Sequence, residues 1–150
     1  MKTREQRFER VLRVRDERLK QAVVALEQAR AHESRARAEL EEALASRRQA
    51  EEARRELSIR GADIIDFIEA EEWLRSCSIT EELAIRRLRQ AHAAFEKAQL
   101  RVKDARMKVR QLEQLKERWR VLEAAKEKRA QRVLEDEIGQ RIAQAQRRQR

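Results

Sequence analysis

The stretch GADIIDFIEAEEWL, residues 61–74, decides the fold because it begins with one of only two glycines in the chain. Glycine adopts the positive φ angle that ends many helices more readily than any other residue. The stretch also holds two of the five aromatic residues, Phe67 and Trp73, and it is acidic in a chain of net charge +9. We therefore predict a turn here and ask whether the turn also binds a partner.

The composition around this stretch is typical of long helices. Charged residues make up 43% of the 150 residues, aromatic residues 3%, and proline is absent. Such a composition favours helices packed along a narrow seam over a compact globule. No apolar run approaches the ~20 residues that a membrane span needs, and the first residues lack the apolar core of a signal peptide. Cys77 is the single cysteine, so no internal disulfide is expected, and a reducing cytoplasm fits best.

A seven-residue repeat runs through both halves of the chain and predicts two helices that pack on each other. Mostly large residues occupy one series of positions, and mostly alanines occupy the other. In the first half the two series are Leu12, Leu19, Leu26, Glu33, Leu40, Arg47, Arg54 and Phe8, Arg15, Ala22, Ala29, Ala36, Ala43, Ala50, Leu57. In the second half they are Leu88, Phe95, Val102, Val109 and Ala84, Ala91, Ala98, Ala105, Leu112.

The two series also indicate the direction of the helices. Large residues of one half face small residues of the other if the two members of each pair lie equally far from residue 62, as Leu40 and Ala84 do. Such pairing occurs only between antiparallel helices. The predicted fold is all-α: a long antiparallel two-helix coiled-coil hairpin with an overhanging C-terminal helix. It forms a single domain, 1–150, with helix 1 at about 4–58, a turn at 59–63 and helix 2 at about 64–146. At ~1.5 Å per residue, the paired part is about 80 Å long.

Some residues depart from the repeat. The charged seam residues Glu33, Arg15 and Arg47 are expected to reach solvent past their neighbours. Asp63 is a candidate N-cap of helix 2. Ser78, with Glu81 three residues later, resembles a capping box, but we expect helix 2 to continue through residues 78–80.

Charge and apolar spacing predict two interaction surfaces. Residues 51–82 around the turn carry a net charge of −6, whereas residues 1–20 and 113–150 together carry +8. Beyond about residue 121 helix 2 has no partner in helix 1, yet apolar residues keep helical spacing to Ile142, which is typical of a partner surface. Trp119 lies one turn past the predicted seam and is the expected exposed anchor. At the turn, Leu57 and Phe67 are expected to close the seam as core residues. One partner helix cannot cover all the other large apolar residues there, so some are exposed or the tip is locally wider: Ile64, Ile65, Ile68, Trp73 and Leu74. They form either a small interface with an acidic rim or a hydrophobic plug at the end of the hairpin.

Other function classes find little support in the sequence. His32 and His92 lack further metal ligands at a recognisable spacing, two glycines cannot form a phosphate-binding loop, and no metal or cofactor is expected. Acidic residues interleave the basic ones, so specific nucleic-acid binding is disfavoured. A coiled-coil scaffold or spacer, and a homodimer of long helices, remain alternatives.

The segments RFERVLRVRDERLKQAVVALEQARA, residues 7–31, and QLEQLKERWRVLEAAKEKRAQRVLEDEIGQR, residues 111–141, resemble the terminal helices of the flagellar FliJ family. The shared features are an early Phe before a Leu-rich, Ala-rich heptad helix, and a late "LE.LKER" segment. The element VLEDE, Val133 to Glu137, departs from the family's "LDE" by an inserted Glu. The injectisome YscO family is similar, so flagellar and injectisome systems both stay open.

This resemblance implies a non-enzymatic central stalk of type III protein export. The end of the hairpin that carries both termini would enter the hexameric export ATPase and promote its assembly and activity. The turn would approach the membrane-embedded export gate protein, export chaperones would be further partners, and the chain would be cytoplasmic, at the inner membrane but not inserted in it.

Position by position, the resemblance also implies two sets of contact residues. The implied ATPase-ring surface is Phe8, Arg10, Arg13, Lys116, Arg118, Trp119, Leu122, Lys126, Arg129 and Arg132. Leu12 is also implied, although its place in the seam gives it a structural role as the alternative. The implied gate surface is Phe67, Ile68, Trp73, Leu74 and Cys77.

Overall fold

A computed structural model describes residues 3–150 as two long helices joined by a short turn. Helix α1 spans Arg4–Arg60 and helix α2 spans Ile64–Arg148. The described residues contain no strand, which confirms the predicted all-α class and its two long helices. Both helices begin at the predicted residue, and each ends two residues later than predicted. Met1 and Lys2, which open the predicted domain, lie outside the described residues.

The turn is built around Gly61, as its place in the sequence predicts. Gly61 has a φ angle of +69°, a conformation that side chains with a Cβ atom rarely adopt. The amide of Ala62 donates a hydrogen bond of 3.3 Å to the carbonyl of Leu57. This bond, with a left-handed glycine between donor and acceptor, is the mark of a Schellman motif. Leu57 and Ala62 are both partly buried, so the apolar contact usual in that motif is available.

Local side chains explain how the helices begin. At the start of α1, the amide of Gln6 donates to Thr3 Oγ1 over 3.3 Å, and the amide of Thr3 donates to Gln6 Oε1 over 3.1 Å. This reciprocal pair is a capping box of the Thr-x-x-Gln type. At the start of α2, the carbonyl of Asp63 accepts the first helical bond, from the amide of Phe67. Asp63 therefore stands at the predicted N-cap position.

Helix α2 continues through residues 78–80, as expected, but Ser78 is not a cap. Its hydroxyl donates 3.0 Å to the carbonyl of Leu74, one turn earlier, and the Thr80 hydroxyl donates in the same way to Ser76. The resemblance to a capping box is therefore misleading. Inside a continuous helix the amide that a cap would accept from is already bonded, so the hydroxyl turns back to a carbonyl.

The described chain divides into two compact units, Glu17–Ala105 and Met1–Asp16 with Arg106–Arg150. Each helix contributes to both units, and the predicted single domain stays a prediction. In the unit Glu17–Ala105, the buried residues follow the seven-residue spacing from both helices. They are Glu33, Ala36, Ala43, Ala50, Ala70, Cys77, Ala84, Ala91, Ala98 and Val102. Most are alanines, whose small side chains allow two helix backbones to approach closely.

Ion pairs in the same unit show that its two helices run antiparallel. Arg54 Nη2 lies 2.8 Å from Glu71, near the turn, whereas Arg87 Nη1 lies 3.6 Å from Glu39, farther from it. Each pair lies almost equally far from residue 62 or 63, close to the predicted centre.

Glu33 is the one charged residue that is buried among the described residues, with 6% of its surface exposed. Its Oε1 atom accepts a hydrogen bond of 2.7 Å from Arg37 and lies 3.2 Å from His92 Nδ1. The other ring nitrogen of His92 lies 3.1 Å from Glu96. A buried carboxylate is costly without partners, and here two partners offset part of that cost. The expectation that Glu33 reaches solvent is wrong, because a glutamate is too short to extend past this seam.

Arg47 behaves as predicted for a long charged residue in the seam. Its side chain remains partly exposed and binds two carboxylates, Glu81 at 2.6 Å and Glu51 at 3.2 Å. The hydrogen bond to Glu81, followed by the charges of Glu81 and Glu51, raises the pKa of Arg47 above its ordinary value. The guanidinium therefore stays charged throughout the physiological range and ties α1 to α2.

Candidate interaction surfaces

The unit formed by Met1–Asp16 and Arg106–Arg150 contains every residue of the implied ATPase-ring surface. Its helices are antiparallel, since Glu5 pairs with Arg120 and Glu9 with Lys116. Arg15 donates 2.7 Å to the carbonyl of Lys108. Val109 and Leu112 are buried in this unit. Beyond Glu123, every residue of α2 is exposed.

Trp119 is not the exposed anchor that the sequence predicts. Its ring lies against Phe8, with centroids 5.8 Å apart and ring planes inclined by 36°. The residue is half-buried, and its indole Nε1–H is enclosed without a hydrogen-bond partner in the described structure. The seven-residue spacing explains this, because Trp119 follows Leu112 by seven positions and Phe8 precedes Arg15 by seven. The seam therefore runs one repeat further than Leu112, the last seam residue that the sequence predicts.

The other residues implied to contact an ATPase ring fall into two groups. Phe8, Leu12 and Lys116 are half-buried, and Lys116 lies 3.8 Å from Glu9. The remaining ones are exposed: Arg10, Arg13, Arg118, Leu122, Lys126, Arg129 and Arg132. The structure thus places a set of exposed basic side chains in one unit, beside exposed apolar ones that the implied set omits, Val11 and Leu115.

An open groove on α2 lies within this basic region. It measures about 550 Å³ and is lined by Gln114, Glu117, Arg118, Val121 and Leu122. These positions are three or four residues apart, so they share one face of the helix. Val121 and Leu122 are both more than half exposed. We call this feature the α2 groove. The sequence signal for it was the apolar spacing after residue 121, which pointed to a partner surface.

A second apolar surface lies at the turn, in the unit Glu17–Ala105. Four isoleucines are exposed there: Ile59 at 85%, Ile64 at 76%, Ile65 at 67% and Ile68 at 53%. We call these four residues the tip surface. Ile59 was not predicted, although it stands off both heptad series and its outward position could have been read from them. Several exposed isoleucines around one turn are typical of a partner surface, which makes the tip surface a candidate site.

The residues implied to face an export gate are only partly available. Ile68 and Trp73 are exposed, Phe67 and Leu74 are half-buried, and Cys77 is buried. Cys77 stands in the seam seven residues after Ala70 and seven before Ala84, which are also buried. Its thiol therefore acts as a small seam residue, and direct contact with a partner is not open to it. Ile64 and Ile65 offer more exposed apolar area than Phe67 and Leu74.

Other kinds of site are not evident in the part of the chain that the structure describes. Residues 3–150 hold no group of three or more His, Cys, Asp or Glu side chains that could bind a metal ion. Within the same residues, neither helix has a segment that is apolar over a length sufficient to cross a bilayer. The cavities are open surface features lined largely by charged side chains, except for the α2 groove.

Comparisons with known proteins add no relative to this description. No family model, no curated protein and no solved structure matches the chain.

Proposed function

We propose that the chain is a long antiparallel coiled-coil hairpin whose second helix overhangs the first, and that it serves as the central stalk of a type III protein export apparatus. In this proposal the unit that contains the start of α1 and the end of α2 enters the ring of a hexameric export ATPase and promotes its assembly and activity. The surface at the turn contacts the membrane-embedded export gate. The chain acts in the cytoplasm, peripheral to the inner membrane.

The observation that carries the proposal is the exposed, basic, partly apolar surface around the ends of the helix pair. Arg118, Arg129 and Arg132 are exposed on α2, close in sequence to Val121 and Leu122. A surface of this kind can enter a narrow acidic pore, because long arginine side chains reach carboxylates from a thin helical scaffold. The export ATPase is proposed as the partner because residues 7–31 and 111–141 resemble the FliJ family.

The mechanism follows from preferential binding. A stalk that contacts several subunits at once binds the assembled ring more tightly than it binds a free subunit. Mass action then shifts the subunits toward the ring, and ATP hydrolysis rises with ring formation. The helix pair needs no chemistry of its own for this role, because it acts only through charge and shape.

The test is a titration of purified chain into the export ATPase from the same cell, with ATP hydrolysis followed throughout. We expect saturable stimulation at about one stalk per ring, since the complex is limited by one central pore. The double substitution Arg129→Glu with Arg132→Glu should abolish most of it. Arg86→Glu with Arg89→Glu is the matched control: the same spacing, the same helix and exposed side chains in the other unit. Stimulation should survive that change.

Three outcomes of this titration would redirect the proposal. Equal loss with both double variants would mean that net charge, not the proposed surface, drives stimulation. Undiminished stimulation by the Arg129 and Arg132 variant would exclude these residues from the contact. No binding to the ATPase at moderate salt would favour the scaffold alternative.

A further inference from the structure

The segments around the tip surface and the α2 groove carry opposite net charges, although the lining of the groove itself includes both Glu117 and Arg118. The tip lies within residues 51–82, which carry ten acidic and four basic side chains. Asp63, Asp66 and Glu69 stand between or beside its isoleucines. The α2 groove lies within residues 106–132, which carry ten basic and four acidic side chains. Opposite potentials around two exposed apolar patches favour their association.

We propose that the tip surface of one copy of this chain binds the α2 groove of a second copy. The isoleucines Ile64 and Ile65 would cover Val121 and Leu122, all four of which are more than half exposed. Acidic residues beside the tip would meet Arg118 and the basic residues that follow it on α2. The contact buries apolar area on both copies and leaves the opposite charges at its rim, where they select the partner.

The charges also exclude the symmetric alternatives. A contact between two tips would bring two acidic segments together, and a contact between two grooves would bring two basic segments together. Like charges that face each other across an interface are unfavourable. The contact is therefore between different surfaces, and each copy carries one of each. Interfaces of this type leave a free tip and a free groove after every addition, so association continues to larger species with rising concentration.

This inference goes beyond the stalk function and would limit it. Arg118 and Leu122 belong both to the α2 groove and to the proposed ATPase-ring surface. A second copy bound in the groove would therefore compete with the ring. Associated chains would have to dissociate before they could bind the ATPase.

The test is sedimentation of the purified full chain over about a hundredfold range of concentration, because mass action governs such an association. The tip variant is Ile64→Gln with Ile65→Gln, and the groove variant is Val121→Gln with Leu122→Gln. All four side chains are exposed, so neither variant should lose its fold. We expect the unmodified chain to rise above its monomer mass of 17.9 kDa, whereas each variant alone stays at that mass.

A mixture of the two variants gives the decisive result. The tip variant keeps an intact groove, and the groove variant keeps an intact tip. Equal amounts should therefore form a species of two chains and nothing larger. Val24→Gln with Leu100→Gln, which removes exposed apolar residues elsewhere, is the control and should associate like the unmodified chain. Raising salt from about 0.1 M to 0.5 M should weaken the association roughly tenfold.

Several results would overturn the inference. The unmodified chain could stay at 17.9 kDa at every concentration. The mixed variants could fail to pair, or either variant alone could associate like the unmodified chain. None of these results would contradict the stalk proposal, because the sedimentation experiment contains no ATPase. Conversely, loss of ATPase stimulation would leave the sedimentation result unchanged.

Discussion

Residues 84–98 and 124–142 of α2 are both helical and both contain alanines, yet only the first segment has buried residues. In the first segment Ala84, Ala91 and Ala98 are buried, one every seven residues. In the second segment all residues are exposed, including Ala125 and Ala130. Helix propensity is therefore not what distinguishes them. The presence of α1 alongside turns a periodic alanine from a surface residue into a seam residue, which is why most helical stability in proteins comes from packing.

The largest effect should come from placing a charge at one position of each segment. Ala91→Glu puts a carboxylate where only 2% of the alanine surface is exposed, and should lower the free energy of unfolding by about 3 kcal/mol. Ala130→Glu places the same side chain on the exposed segment, and should change the free energy of unfolding by less than about 0.5 kcal/mol. Urea unfolding followed by circular dichroism measures both. Equal effects would mean that the seam does not stabilise the fold.

Glu33 offers a second comparison, between a buried and an exposed carboxylate. Glu33→Leu restores the large apolar residue that stands seven positions away at Leu26 and Leu40, and should raise the free energy of unfolding by about 2 kcal/mol. Glu96→Leu, at the exposed end of the same cluster, should have almost no effect. A loss of stability in Glu33→Leu would show that Arg37 and His92 more than offset the cost of burying the carboxylate.

The two glycines should respond in opposite directions to the same substitution. Gly61→Ala forces a Cβ atom into a φ angle of +69°, and should cost about 1 kcal/mol. Gly139→Ala meets nothing within 4 Å and removes the flexibility of glycine from a helix interior. It should raise the local stability of the helix near residue 139 by up to about 1 kcal/mol. Hydrogen exchange of the amides around each site distinguishes the two. Slower exchange near residue 61 in Gly61→Ala would contradict the assigned turn.

The smallest effect is expected at Trp119. Trp119→Phe keeps an aromatic ring against Phe8 and removes the indole N–H that lacks a partner, so unfolding should change by less than about 0.5 kcal/mol. Trp119→Ala removes the ring as well and serves as the sensitive comparison, with a loss of about 2 kcal/mol. A large loss in Trp119→Phe would mean that the indole nitrogen has a bound partner, such as water.

The sequence predicted the fold well because its rules are periodic and local. A seven-residue spacing selects the seam, and one glycine at its centre selects the turn, so the places of Ala84 and Gly61 follow from the sequence alone. The surfaces were harder to predict. The position of Trp119 depended on whether α1 extends far enough to cover it. Such a detail rests on contacts between distant residues, which a repeat pattern alone does not specify. Ile59 was missed for another reason, because the repeat already placed it outside the seam.

The seven-residue spacing of burial has a consequence for how a chain like this can change in length. An insertion of one residue in α1 would rotate every later side chain by about 100° and move the alanines out of the seam. An insertion of seven between Arg47 and the turn keeps the rotation almost unchanged, but shifts α1 against α2 and separates Arg47 from Glu81. Only matched insertions of seven, at positions equally far from Gly61 in both helices, preserve burial and ion pairs together. Between Glu17 and Ala105, length can therefore be gained or lost in paired steps of seven, while the turn and the terminal surfaces keep their sequences.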